Sequence, residues 1–177
     1  MIMHKTPIHG ALMIQPELIE DQRGFFARTF CRQEFDDLGL KTDIAQCSFA
    51  VNTRSGTVRG LHFQRPPYGE VKWVRCTKGA VFDVLVDLRP DSLTYARWTS
   101  VELTEENRCT LYIPEYVAHG YQSLTPESEL FYQISQFYNP DYAWGIRWND
   151  PAFNISWPLP VSCISSKDQN WPDFAVA

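Results

Sequence analysis

The chain is short of several things, and each shortage removes a class of function. Its five cysteines (Cys31, Cys47, Cys76, Cys109 and Cys163) are scattered, odd in number and never spaced as C-x-x-C, which is neither a disulfide framework nor a zinc signature. Positive charge is in deficit: 16 Lys and Arg face 21 Asp and Glu, for a net charge of -5 and a pI near 5.3. That balance argues against nucleic acid as a partner, while leaving room for a local Arg/Lys cluster that grips one phosphorylated ligand. No apolar run is long enough to span a bilayer, and the opening Met1 to Pro7 lacks the apolar stretch of a signal peptide, so a cytoplasmic protein with no membrane contact is expected. A G-x-G-x-x-G dinucleotide fingerprint is missing too. Repeats, low-complexity tracts and linkers are absent, and 1–177 is read as a single domain.

What is present is bulk and alternation. Of the 177 residues, 44% are hydrophobic and 14% aromatic, enough for a core with a surplus for a pocket or an interface. Residues 11–19 read as a short edge strand, because Pro16 cannot sit in a central ladder. A turn at Asp21 to Gly24 leads into a strand over 25–30, and 32–38 suit one or two helical turns stopped by Gly39. Short strands then follow to Phe137. Segments 71–76 and 80–88 flank Thr77-Lys78-Gly79, which reads as a hairpin loop. Segments 99–103 and 109–113 flank another turn, and 129–137 is the last strong strand. After Tyr138 the chain becomes irregular and aromatic, a tail expected to lie over a barrel. Many short strands without a long helix point to an all-β sandwich or jelly roll.

The stretch Thr57-Val58-Arg59-Gly60-Leu61-His62-Phe63-Gln64, with Lys72 beyond it, puts costly polar groups inside strand pattern. Such a strand lines a pocket more readily than it fills a core, although a lone His there can equally be structural. In a regular strand Arg59 and His62 face opposite ways, so a shared site demands a bulge, and Gly60 between them is where it fits. In 80–88 Asp83 and Asp87 share a face with Val81 and Leu85. Asp87, near the strand end, is read as facing water; Asp83 could point into a pocket and hold a histidine. Lys72 either snorkels outward or is kept for its charge. Leu130, Tyr132 and Ile134 share a face whose parity continues to Tyr138, and His119-Gly120 follows a strand.

In order along the chain stand Asp21-x-Arg23-Gly24, Arg59-Gly60-Leu61-His62-Phe63-Gln64, Lys72, Val86-Asp87-Leu88-Arg89, Pro114-x-x-x-Ala118-His119-Gly120, Tyr132, Trp148-Asn149-Asp150-Pro151 and Lys167-Asp168. This ordered set resembles the dTDP-4-dehydrorhamnose 3,5-epimerase family, cupin-type jelly-roll homodimers that act on nucleotide sugars. The resemblance implies an all-β, cupin-type jelly roll with short helical turns and an irregular C-terminal tail. It implies His62 as the base oriented by Asp168, Tyr132 as the acid on the other face of the sugar, and Lys72 at the enolate oxygen. His119 paired with Asp83 would sit near the ketone, Arg23 and Arg59 would hold the diphosphate, and Lys167 would lie close to the ligand. Arg28, Gln46, Ser48 and Tyr138 complete the expected substrate-binding set.

The chemistry asks for these residue types independently. A C4 ketone acidifies its neighbouring carbons, the resulting enolate needs a cation or donor at its oxygen, and inversion needs a base on one face and an acid on the other. No redox cofactor and no metal are required. A metal-dependent cupin oxygenase is the reading from another class, but Gln64 stands where the second histidine of an H-x-H pair is needed, leaving His62, Glu70 and His119. A non-catalytic sugar-nucleotide-binding module would not need an acid–base pair. Two departures from the family pattern bear on the base: Arg28 and Ala143 stand where the family usually has glutamates, and Gln46-Cys47-Ser48 where it has Gln-x-Asn. A guanidinium opposes the N3–H of thymine and suits the N3 acceptor of cytosine, which makes a CDP-linked 4-keto-(di)deoxyhexose 5-epimerase the alternative, unless Arg28 turns to the diphosphate or to solvent. Glu115-Tyr116 is expected to narrow the sugar pocket.

Overall fold

The computed structural model describes residues 1–175. In chain order, β1 (Ile2–Lys5) and β2 (Leu12–Gln15) precede a ribbon of β3 (Leu18–Asp21) and β4 (Gly24–Ala27). The helix α1 (Arg32–Asp36) is followed by β5 (Gln46–Asn52), β6 (Val58–Gln64), β7 (Lys72–Lys78) and β8 (Ala80–Asp87). Then come β9 (Trp98–Thr104), β10 (Thr110–Ile113), β11 (Val117–Ser123), β12 (Ser128–Ile134), the short β13 (Ala143–Gly145) and the helix α2 (Ser166–Gln169). Among the described residues no helix is long and apolar enough to cross a membrane.

Two antiparallel sheets face each other as a cupin-type jelly roll. One has the order β1-β2-β10-β7-β12-β5 and the other β13-β6-β11-β8-β9. Strand alternation sorts the residues. Val74, Cys76, Val81, Leu85, Leu111, Tyr121 and Leu130 interdigitate between the sheets. On the far side of the five-stranded sheet, Leu61, Val84, Val86 and Ala118 are covered by Ile146, Phe153 and Ile155 of the tail. The tail therefore closes a second apolar layer.

Several sequence expectations change here. Residues 11–19 are not an edge strand: β2 is paired on both sides, by β1 and β10, and Pro16 ends it. The strand read at 25–30 stops at Ala27 and pairs only with β3. Helix α1 does form, and Gly39 beyond it adopts φ +67°. Thr77-Lys78-Gly79 is no hairpin loop, because β7 and β8 lie in different sheets. Gly79 takes φ +70° at that crossing, and a Cβ there would stand 2.2 Å from Thr125 Oγ1. Asp87 does not face water. It is fully buried and accepts hydrogen bonds from Arg89 Nε (2.8 Å), Ser92 Oγ (2.5 Å) and Thr94 Oγ1 (2.6 Å), pinning the loop after β8. Burial works against its charge, but these donors prevail and bring its pKa down to about 2.

Candidate active site

Gly60 makes the site possible. Along the β6–β11 ladder His62 opposes His119 and Arg59 opposes Tyr121, so two residues of β6 face the single Gly120. That is a bulge, and it turns Arg59 and His62 to one side. Gly60 has φ +123°, and a Cβ on it would come within 2.5 Å of Gly120 Cα. Only a glycine pair lets the two backbones approach so closely.

A cavity of about 640 Å³ opens between the sheets, lined by His62, Lys72, His119, Tyr132, Lys167 and Asp168 among others. Arg59, Gln46, Ser48 and Tyr138 line it as well, and Asp83 stands directly behind His119. Arg23 and Arg28 are not brought to it. Arg23 is exposed on the β3–β4 turn and bonded to Asp21, and Arg28 Nη1 donates to Glu34 Oε1 at 3.4 Å. Of the two positions on which the argument for cytosine rested, Ala143 lines this cavity, whereas the Arg28 guanidinium of the same chain does not. Tyr116 is likewise on another surface, packed against Gly69, while Glu115 pairs with Lys41.

His62 Nε2 lies 2.6 Å from Asp168 Oδ1. Asp168 comes from α2, where Ser165 Oγ caps the helix by accepting the Asp168 N–H at 3.1 Å. Its Oδ2 also accepts the Gly60 N–H at 3.3 Å. Burial alone would raise the Asp168 pKa, but the His62 and Gly60 hydrogen bonds outweigh it and hold the carboxyl below its ordinary value. The His62 side chain stays 43% exposed and open to the cavity.

Lys72 is buried. Its Nζ donates to the His62 carbonyl at 3.0 Å and lies 2.9 Å from Glu70 Oε1. Residues two apart on extended backbone share a face, a signal in Glu70-x-Lys72 that sequence reasoning used only for a possible metal. Deeper in, His119 Nε2 lies 2.9 Å from Asp83 Oδ2, and burial raises the Asp83 pKa. The His119 and Tyr132 rings meet edge to face at 5.9 Å. Burial, first of several causes, pushes the Tyr132 pKa well above 10. Gln64 donates to the Tyr68 and Phe137 carbonyls and accepts the Asn139 N–H, so it fastens loops. Among the described residues no group of three or more His, Cys, Asp and Glu side chains is placed to hold a metal ion. Tyr121 also lines the cavity, held by Asn52 from behind, and both were missed, although Tyr121 shares strand parity with His119.

A base candidate on β6 and an acid candidate on β12 thus line one cavity from opposed sheets, and Lys72 of β7 lines it too. The family model described as dTDP-4-dehydrorhamnose 3,5-epimerase matches residues 5–176. A dTDP-4-dehydrorhamnose 3,5-epimerase of Methanothermobacter thermautotrophicus is 44% identical over 94% of this chain and 91% of its own. One from Shigella flexneri is 40% identical over 98% and 96%. The crystal structure of the Bacillus anthracis enzyme, with TDP and PPi bound, superposes with a TM-score of 0.94 at 33% identity, covering 98% of this chain and 99% of that one. The chain belongs to the dTDP-4-dehydrorhamnose 3,5-epimerase family.

Proposed function

We propose that this isomerase inverts carbons beside the C4 ketone of a dTDP-linked 4-keto-6-deoxyhexose. The observation that carries the reading is the placement of His62 and Tyr132 on facing sheets across one cavity. With His62 Nε2–H held by Asp168, Nδ1 carries the lone pair that takes the proton from the sugar carbon. Electrons move to the C4 oxygen, where Lys72 Nζ and His119 supply positive charge and a donor. Tyr132 then returns a proton to the carbon from the other side, which inverts it. Arg59 and Lys167 lie where a diphosphate needs cations, and Gln46, Ser48 and Tyr138 border the space left for the base. Positions C3 and C5 both flank the ketone, and both are assigned to this site.

Arg23 enters through a second copy in the same proposal. The β3–β4 ribbon pairs with neither sheet and exposes Ile19 and Phe26, at 68% and 70%. Phe49 and Val51 project from β5, the free edge of the larger sheet, and are exposed as well. Apolar patches of this kind mark association surfaces. A homodimer covers them and carries Arg23 to the mouth of the neighbouring cavity. Incubation with dTDP- and CDP-linked 4-keto-6-deoxysugars in D2O tests the reading by NMR. Deuterium at C3 and C5 of the dTDP sugar, with inversion, is expected. Exchange confined to the CDP sugar, or none with either, overturns it.

A further inference from the structure

Tyr121 has no place in the roles above, yet it stands at the inner end of the same cavity. It follows His119 by two residues on β11, so both rings project between the sheets. It is 1% exposed, and its hydroxyl donates to Asn52 Oδ1 at 3.2 Å. The same oxygen accepts Arg59 Nε at 2.9 Å, while Asn52 Nδ2 donates to the Ser128 carbonyl at 3.2 Å. Asn52 is therefore anchored to β12, the strand that carries Tyr132. The two phenols are close enough for each to perturb the ionisation of the other, and the His119 ring lies against both, at 6.4 Å from Tyr121 and 5.9 Å from Tyr132.

When Tyr132 gives its proton to carbon, a phenolate is left in a buried site and needs a donor at once. His119 Nε2 is engaged with Asp83, and Arg59 with Asn52 and the Val51 carbonyl. The Tyr121 O–H can rotate away from Asn52 without orphaning it, because Asn52 Oδ1 keeps Arg59 Nε.

We propose that Tyr121 is a positioning residue for the acid: its hydroxyl turns from Asn52 to the Tyr132 oxygen as the Tyr132 proton leaves. The proton lost by Tyr132 ends on the sugar carbon and Tyr121 keeps its own; before the next inversion His62 releases to solvent the proton it took from the sugar, and Tyr132 takes one back from solvent, which closes the proton balance. The inference rests on Tyr132 being the acid of the proposed reaction.

The test compares wild type, Tyr121→Phe, Tyr132→Phe and the double variant on the dTDP-linked 4-keto-6-deoxysugar in D2O. Removing a hydrogen bond to a charged group predicts a roughly tenfold to hundredfold fall in kcat for inversion in Tyr121→Phe. KM, dTDP affinity and the rate of deuterium wash-in without inversion should stay at wild-type values. In the Tyr132→Phe background the same change should cost nothing further. An unchanged kcat overturns the inference, as does a parallel loss of wash-in and inversion, or an added loss in the double variant. Wild type that exchanges no deuterium instead removes the underlying reading, which separates the two failures.

Discussion

Two aspartate–histidine pairs serve one cavity and are built in opposite ways. Asp83 and His119 sit on adjacent antiparallel strands, β8 and β11, and both are buried. Asp168 and His62 join a helix of the irregular tail to a bulged strand, and His62 keeps 43% of its side chain exposed. The carboxylates respond in opposite directions: burial raises the pKa of Asp83, whereas the His62 and Gly60 hydrogen bonds overcome burial at Asp168 and lower it. The difference matches the work proposed for each pair. A base must trade protons with substrate and solvent, so it needs access and a partner that stays charged. A group that steadies a ketone needs a fixed position, and two neighbouring strands supply it.

The sharpest way to break this comparison is His62→Ala. Loss of the base should cut deuterium exchange into substrate by about 10²–10⁴-fold and leave dTDP binding near wild type. Exchange above a tenth of the wild-type rate, read by NMR in D2O, would place the base elsewhere. Asp168→Asn acts through His62 and is expected to lower kcat by roughly tenfold to a hundredfold, with KM steady; a rise in KM alone would make Asp168 a binding residue.

Asp87→Asn supplies a control on the inward face of β8 but away from the chemistry. Its folded pKa of about 2 lies below the ordinary 3.8, so its stabilisation is complete above about pH 4 and lost as pH falls through 2. The variant should lose about 2 kcal/mol at pH 7, show a flatter acid-unfolding curve between pH 4 and 2 in urea melts, and retain kcat. Asp83→Asn gives the smallest change. A carboxyl whose pKa folding has raised opposes folding while it is ionised, so its replacement should leave the melting temperature at pH 7 equal or slightly higher. A loss above about 2 kcal/mol would show that the charge pairing with His119 outweighs burial.

The bulge at Gly60 was legible before any fold, because strand parity puts Arg59 and His62 on opposite faces and only an inserted residue reunites them. For Asp83 strand parity allowed only a pocket and a histidine, and the family resemblance named His119. Asp87 was not: proximity to a strand end suggests water, and only the loop of Ser92 and Thr94 folding back over it supplies the donors that bury it. The turn at Gly79 also misled. Turn chemistry reports that the chain reverses, but not whether the next strand pairs alongside or crosses to the opposite sheet. β1 was overlooked, and with it the second partner that makes β2 an interior strand.

Alternation and turn residues determined, without coordinates, an all-β fold, and the polar residues Arg59, His62 and Lys72 set into strand pattern pointed to a pocket. Those signals are local, carried by residues within one strand of one another. The tertiary structure alone showed how Asp168, 106 positions from His62 and paired with it beforehand only by the family resemblance, reaches that imidazole from a helix capped by Ser165. It alone placed Tyr121, Asn52 and Arg59 in one chain of hydrogen bonds, and left Arg23 and Arg28 outside the cavity. Contacts between distant segments depend on which sheet each strand joins, and strand periodicity is the same in either sheet.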